Sequence, residues 1–139
     1  MFDDLQLVAE DGRAVAVFMA DMELRDAVAD ALSWHVTRRF QTDSLDADKA
    51  LELRAAGALA DRIDQHRGVE GRSQVRLNAD HARLLIEAVS AYLMERNVDS
   101  YQPPEERDRL ATLQALVDPL FDLVAELDRA DEVLRAQSR

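Results

Sequence analysis

The sequence predicts a predominantly α-helical fold, a bundle of four to five helices with a small N-terminal antiparallel β-hairpin that lends it minor α+β character. Three observations carry that expectation. Apolar residues recur every three or four positions through most of residues 21–136, the opening segment of about twenty residues alternates, and capping residues stand where one pattern gives way to the next. At 139 residues, with 47% hydrophobic side chains and no internal repeat or long linker, the chain is expected to form one domain over 1–139: a hairpin at 1–20 and a helical body at 21–136.

In the hairpin, Leu5, Leu7 and Ala9 alternate with polar or smaller neighbours, Glu10-Asp11-Gly12 follows, and Val15, Val17 and Met19 resume the alternation. Asp-Gly between two β-prone runs favours a tight turn, because both central residues there need positive φ. Strands are expected near 5–9 and 13–19. Asp21 then caps a helix whose face is Leu24, Val28, Leu32, Val36 and Phe40, widened by Ala27, Ala31 and His35. Asp43 or Ser44 caps a second helix with Leu51, Ala55, Leu59 and Ile63 on one face. His66 and Arg67 occupy its last turn and Gly68 its stop.

Residues 68–71 read as a turn, and Ser73 to Leu77 as a third short strand. Asn78 caps a third helix, with Leu77 and Ala82 placed as a hydrophobic staple and Leu85, Ile86, Val89, Tyr92 and Leu93 as its apolar face. Asn97 is its expected stop. Tyr101-Gln102-Pro103-Pro104 reads as a loop leading into the final helical segment, 104–136. There Leu113, Leu116, Leu120, Leu123, Leu127, Ala130 and Leu134 repeat with 3-4 spacing, broadened by Leu110, Val117, Phe121 and Val124. Pro119 interrupts this seam, so the segment reads either as one kinked helix or as two.

Composition narrows the chemistry. A formal net charge of −11 opposes nucleic acid or an anionic membrane as the main partner. No apolar run reaches the roughly 20 residues of a membrane span. The acidic start Met1-Phe2-Asp3-Asp4 is unlike a secretory signal, and a cytoplasmic location is expected. With no cysteine, thiolate catalysis, disulfides and cysteine-based metal sites are excluded. His35, His66 and His81 have no acidic residue three positions before them, as helical di-iron sites require, and no two histidines stand four apart as in zinc proteases. No serine lies in a Gly-x-Ser-x-Gly elbow, and no glycine-rich phosphate loop occurs. Catalytic, cofactor-binding and metal residues are therefore expected to be none, with no cofactor.

Two acidic pairs qualify that expectation, Glu23/Asp26 and Glu105/Asp108. Carboxylates three apart share a helix face and can hold a magnesium-bound phosphate. The spacing resembles that of the all-helical nucleotide pyrophosphohydrolases, without their separation or flanking residues. First turns of helices also favour acids for dipole reasons, and that is the preferred reading of both pairs, which are not expected to face each other across a cleft. The run Trp34 to Phe40, with Arg38 and Arg39, is read as a helix end whose arginines pair with nearby acids rather than as an anion contact.

The leucine seam is the feature promoted. Its apolar surface is broader than one narrow stripe, as for a helix that meets both its own core and another chain. The expected interface is Leu123, Leu127, Ala130 and Leu134, in a homo-oligomer with a dimer favoured. Aspartate at Leu127 and Leu134 is expected to dissociate it at modest cost to each fold. The favoured function is a non-enzymatic, self-associating interaction or regulatory module. The alternatives are a small magnesium-dependent hydrolase of a nucleotide-like metabolite, and an acidic sequestering protein of the antitoxin or immunity kind.

Overall fold

The computed structural model describes residues 2–42, 46–65, 70–96 and 102–137. In chain order the elements are β1 (Asp3–Glu10), β2 (Arg13–Ala20), α1 (Met22–Thr42), α2 (Ala47–Asp64), β3 (Ser73–Asn78), α3 (Ala79–Arg96) and α4 (Pro104–Gln137). The molecule is mostly helical, and its sheet has three antiparallel strands in the order β1-β2-β3. The hairpin expected at the start of the chain is thus the larger part of a sheet that β3 completes.

Asp11 and Gly12 turn the hairpin with φ of 53° and 77°, between Glu10 and Arg13, which pair across it. A Cβ built on Gly12 meets nothing within 4 Å, so only the backbone resists substitution there. Gly12→Val is expected to lower stability by about 1–3 kcal/mol, while Gly12→Asn, which tolerates the left-handed region, costs less. Urea midpoints of the two variants check this, and equal midpoints for valine and wild type would count against the turn.

Strand parity decides which backbone groups face where. Glu10 and Arg13 flank the two-residue turn, so they exchange hydrogen bonds, and Val8 with Val15 and Gln6 with Val17 follow in alternation. The even-numbered residues of β2 therefore direct their amides to β3. Ala16, Phe18 and Ala20 find Leu77, Val75 and Ser73 there, but Ala14 lies one step beyond Asn78, where α3 begins. Its N–H donates instead to Asp131 Oδ1 of α4 at 2.6 Å. That carboxylate, buried itself, completes the ladder that β3 leaves short.

Ala14, Ala16, Phe18 and Ala20 form the core face of β2, and the alanines let α4 approach closely. Leu24, Val28 and Leu32 of α1, with Ala27 and Ala31, enter the same core as expected. Asp21 caps α1 by accepting from Leu24 N–H at 2.8 Å. The cap of α2 is Asp46, which accepts from Lys49 N–H at 2.8 Å; Asp43 and Ser44 lie outside the described residues, as do His66, Arg67, Gly68 and Asn97, and the side chain of Phe40. The buried face of α2 is also rotated from the expected one. Leu53, Ala56, Leu59, Ala60 and Ile63 face inward, and Leu51 is 62% exposed. Both stripes share Leu59 and Ile63, and the one carrying Ala56 and Ala60 faces the core, where small side chains permit close helix packing.

Asn78 caps α3 reciprocally: its Oδ1 accepts from His81 N–H at 2.9 Å, and its own N–H donates to His81 Nδ1 at 3.3 Å. This is a capping box with histidine at the position usually held by glutamate or glutamine. The arrangement needs Nδ1 unprotonated. Burial, then the Arg62 guanidinium, lower the His81 pKa from its ordinary 6.5; Asp80 opposes them and Arg13 adds to them. A depressed folded pKa means the unfolded chain takes the proton more readily. The contribution of His81 is therefore full above 6.5 and is lost as pH falls from there through the folded pKa. His81→Gln keeps an acceptor that does not titrate, and should flatten the fall of the urea midpoint as pH drops below 6.5 relative to wild type. Identical slopes would remove His81 from the cause.

The segment 104–137 is one helix with Pro119 inside it. Pro119 sits on a half-buried flank, and the carbonyl it deprives of a partner belongs to exposed Ala115.

Candidate interaction surface

Of the expected interface residues, two lie within the chain's own core and two at its margin. Leu123 is buried and Leu127 is 0% exposed, both inside the core cluster, while Ala130 and Leu134 are partly buried against it. Leu113, Leu116 and Leu120 complete the seam, and all are buried. Leu123 and Leu127, enclosed by their own chain, have little surface to offer a second one, and the large apolar side chains most open to solvent lie elsewhere. On α4 they are Phe121 and Val133.

The acidic pairs stand on two helices that touch, but their four carboxylates do not form one site. Glu23 lies in the first turn of α1 and Glu105 in the first turn of α4, as dipole complementarity favours. Asp26 and Asp108 follow one turn further along, so the expectation that both members of each pair belong to a first turn is corrected for these two. Asp26 is half-buried and Asp108 exposed. The Thr112 hydroxyl lies between the helices, 3.3 Å from Glu23 Oε1 and 3.0 Å from the Asp108 carbonyl, so Asp108 meets it through its backbone and not its carboxylate. Nearby, Arg109 of α4 pairs with Asp30 of α1 at 3.2 Å. Among the described residues no group of three carboxylates or histidines is placed to hold a metal ion. Glu23, Asp26, Glu105 and Asp108 therefore do not converge as one set of three or more ligands.

Arg39 pairs with Glu87 at 2.7 Å and Arg38 with Glu95 at 3.6 Å, while Trp34 meets Tyr92 edge to face at 5.5 Å. The aromatic-basic run at the end of α1 thus contributes to packing of α1 against α3.

β1 is the element left uncovered. Seven of its eight residues are exposed and only Val8 is half-buried, whereas every residue of β2 is buried or half-buried. Leu5 is 38% and Leu7 41% exposed. By the parity that governs the hairpin, Leu7 and Ala9 turn their N–H and C=O groups away from β2 toward the open side. The opposite edge of the sheet is different. There Arg62 of α2 donates to the Arg76 carbonyl at 3.4 Å, and His81 takes the Asn78 amide.

The usable stretch of the β1 edge is bounded at both ends. Between Asp3 and Gln6 the register shifts, with Asp4 at φ 54°, which marks a bulge. At the other end stands the Asp11-Gly12 turn. Asp3 pairs with Arg72 at 3.5 Å, and Glu10 forms an ion pair with Arg76, so two of the flanking acids are held across the sheet. Helical periodicity carries no information about this strand. Its signal in the sequence is the pair Leu5 and Leu7 on a strand that begins a sheet, where one edge has no neighbour.

Among the described residues no helix is long and apolar enough to cross a membrane. The chain matches no family model, no curated protein and no solved structure.

Proposed function

We propose that the protein is a non-enzymatic, self-associating interaction module whose homodimer forms by antiparallel pairing of β1 with β1 of a second copy. The observation that carries this reading is the open edge of β1, with two exposed leucines beside unpaired strand groups, opposite an edge that Arg62 covers. An exposed strand edge is a template for another strand, and pairing across a two-fold axis closes it without propagating. The bulge at Asp4 and the turn at Asp11 leave residues 5–10 to pair. Centring on Leu7 sets Leu7 against its symmetry mate and Leu5 against Ala9, all on one face, and joins two three-stranded sheets into one of six.

The acids that bracket the stretch restrict pairing to this short register and oppose slippage into open-ended stacks. Light scattering on the purified chain at high micromolar concentration should give twice the mass of one chain. Leu7→Lys places like charges at the centre of the joined ladder and should give the monomer mass. Because Leu7 is exposed and lies outside the core cluster, the variant's thermal midpoint at low protein concentration should change little. A monomer mass for the unmodified chain would exclude the dimer.

A further inference from the structure

We propose that the cleft between the last turns of α2 and the outer edge of β3 binds a small organic oxyanion, with a phosphate or carboxylate head on a short apolar body. Arg25, Arg62 and Arg76 line the cleft, and Leu59, Ile63 and Val75 supply its apolar wall. Gln65 and Gln74 complete the lining, and among the described residues no acidic side chain takes part in it. The chain has 28 acidic residues against 17 basic ones, so a concavity lined by three arginines and no acid reverses the character of the whole surface.

The fold holds these arginines from three separate elements. Arg25, on α1, is 2% exposed and is braced where β3 begins, donating to Ser73 Oγ at 2.5 Å and to the Gly71 carbonyl at 3.2 Å. Arg62 reaches over from α2 to the Arg76 carbonyl, a long contact of 3.4 Å, and has no carboxylate partner among the described residues. Arg76 extends from β3, shared with Glu10 through an ion pair and with Gln74 Oε1 at 3.4 Å. A guanidinium fork matches the paired oxygens of phosphate or carboxylate, and Arg62 has donors in excess of its single carbonyl contact. The positive potential is felt nearby: Arg62 is the largest charge acting to lower the pKa of His81.

A free volume of about 200 Å³ admits a head group with a small ring or a few carbons, and the three aliphatic side chains favour a ligand with that apolar portion. The cleft and the β1 edge share Glu10, which pairs with Arg76, but neither proposal requires the other.

Calorimetric titration with inorganic phosphate, phenyl phosphate and benzoate at constant ionic strength tests the site. Phenyl phosphate or benzoate should bind saturably, and phenyl phosphate more tightly than inorganic phosphate because of the apolar wall. Arg62→Gln should weaken binding about tenfold or more, the loss of one charge-assisted contact. Arg54→Gln, an exposed change on the same helix, should leave affinity within about twofold. Glu10→Gln, which releases Arg76 from its ion pair, should tighten it. Arg62 and Glu10 are exposed, and circular dichroism melts close to wild type will show that these variants fold. The proposal is overturned if none of the three probes binds saturably up to about 10 mM, or if Arg62→Gln binds as tightly as wild type.

Discussion

Leu127→Ala is expected to cost about 2–5 kcal/mol of unfolding free energy, the range for a large aliphatic side chain removed from a packed interior. Leu127 has no exposed surface and belongs to the cluster that joins α4 to β2 and α1. Its loss removes transfer energy and leaves a cavity that neighbours such as Leu123, one turn away and already packed in place, fill only in part. Leu127→Asp is expected to go further and prevent stable folding, since an unpaired buried charge consumes much of the roughly 5–15 kcal/mol that holds a small domain together. The sequence alone suggests a milder result, dissociation of a dimer with the monomer intact. Urea denaturation at low protein concentration separates the two. A wild-type midpoint together with halved mass would return Leu127 to an interface between chains.

Asp131→Ala is the second large effect expected, a loss of about 1–3 kcal/mol or somewhat more. The Ala14 amide points to the side where β3 has ended, and the Asp131 carboxylate, 8% exposed, is what it meets, 2.6 Å away. Without it a buried N–H faces alkyl surface and no solvent. Asp131→Asn keeps an acceptor oxygen on the same stem and should recover most of the loss, short of the contribution of the charge. Hydrogen exchange supplies the specific readout. The Ala14 amide should lose protection in the alanine variant out of proportion to its neighbours Val15 and Ala16. Unchanged exchange at Ala14 would mean that another group satisfies it.

These two residues also show what is legible in the sequence and what is not. The 3-4 spacing from Leu113 to Leu134 locates α4 and its buried stripe correctly, because helical period is a local property. Whether that stripe faces its own chain or another is a tertiary property, and the pattern is the same in both cases. Asp131 interrupts an apolar seam, and nothing local marks it as a partner for β2, far away in the sequence. The same holds for Arg25: it sits among the alanines and leucines of α1 as one more arginine, and only the arrival of β3 gives it neighbours. The α2 face is ambiguous because two stripes run through Leu59 and Ile63, and the choice between them rests on how closely α1 packs.

The candidate sites divide in the same way. The β1 edge follows from strand order, which the hairpin signal predicts only for the pairing between β1 and β2. The arginine-lined cleft draws one arginine from each of α1, α2 and β3, and no local pattern in the sequence joins the three. Of the acidic pairs, the leading members are readable as helix starts, and Glu23 and Glu105 are found there. Asp26 and Asp108 are not, because the spacing that puts each on the face of its partner also carries it out of the first turn.

The bond between Ala14 and Asp131 joins positions 117 residues apart, and that separation sets an order of events during synthesis. A ribosome adding about 5–20 residues per second needs roughly 6–23 s to pass from one to the other. Through that interval the alanine face of β2 has no α4 to cover it. A ribosome-bound chaperone would find that face open, and the folding of the sheet is expected to complete only when translation has moved well beyond residue 131.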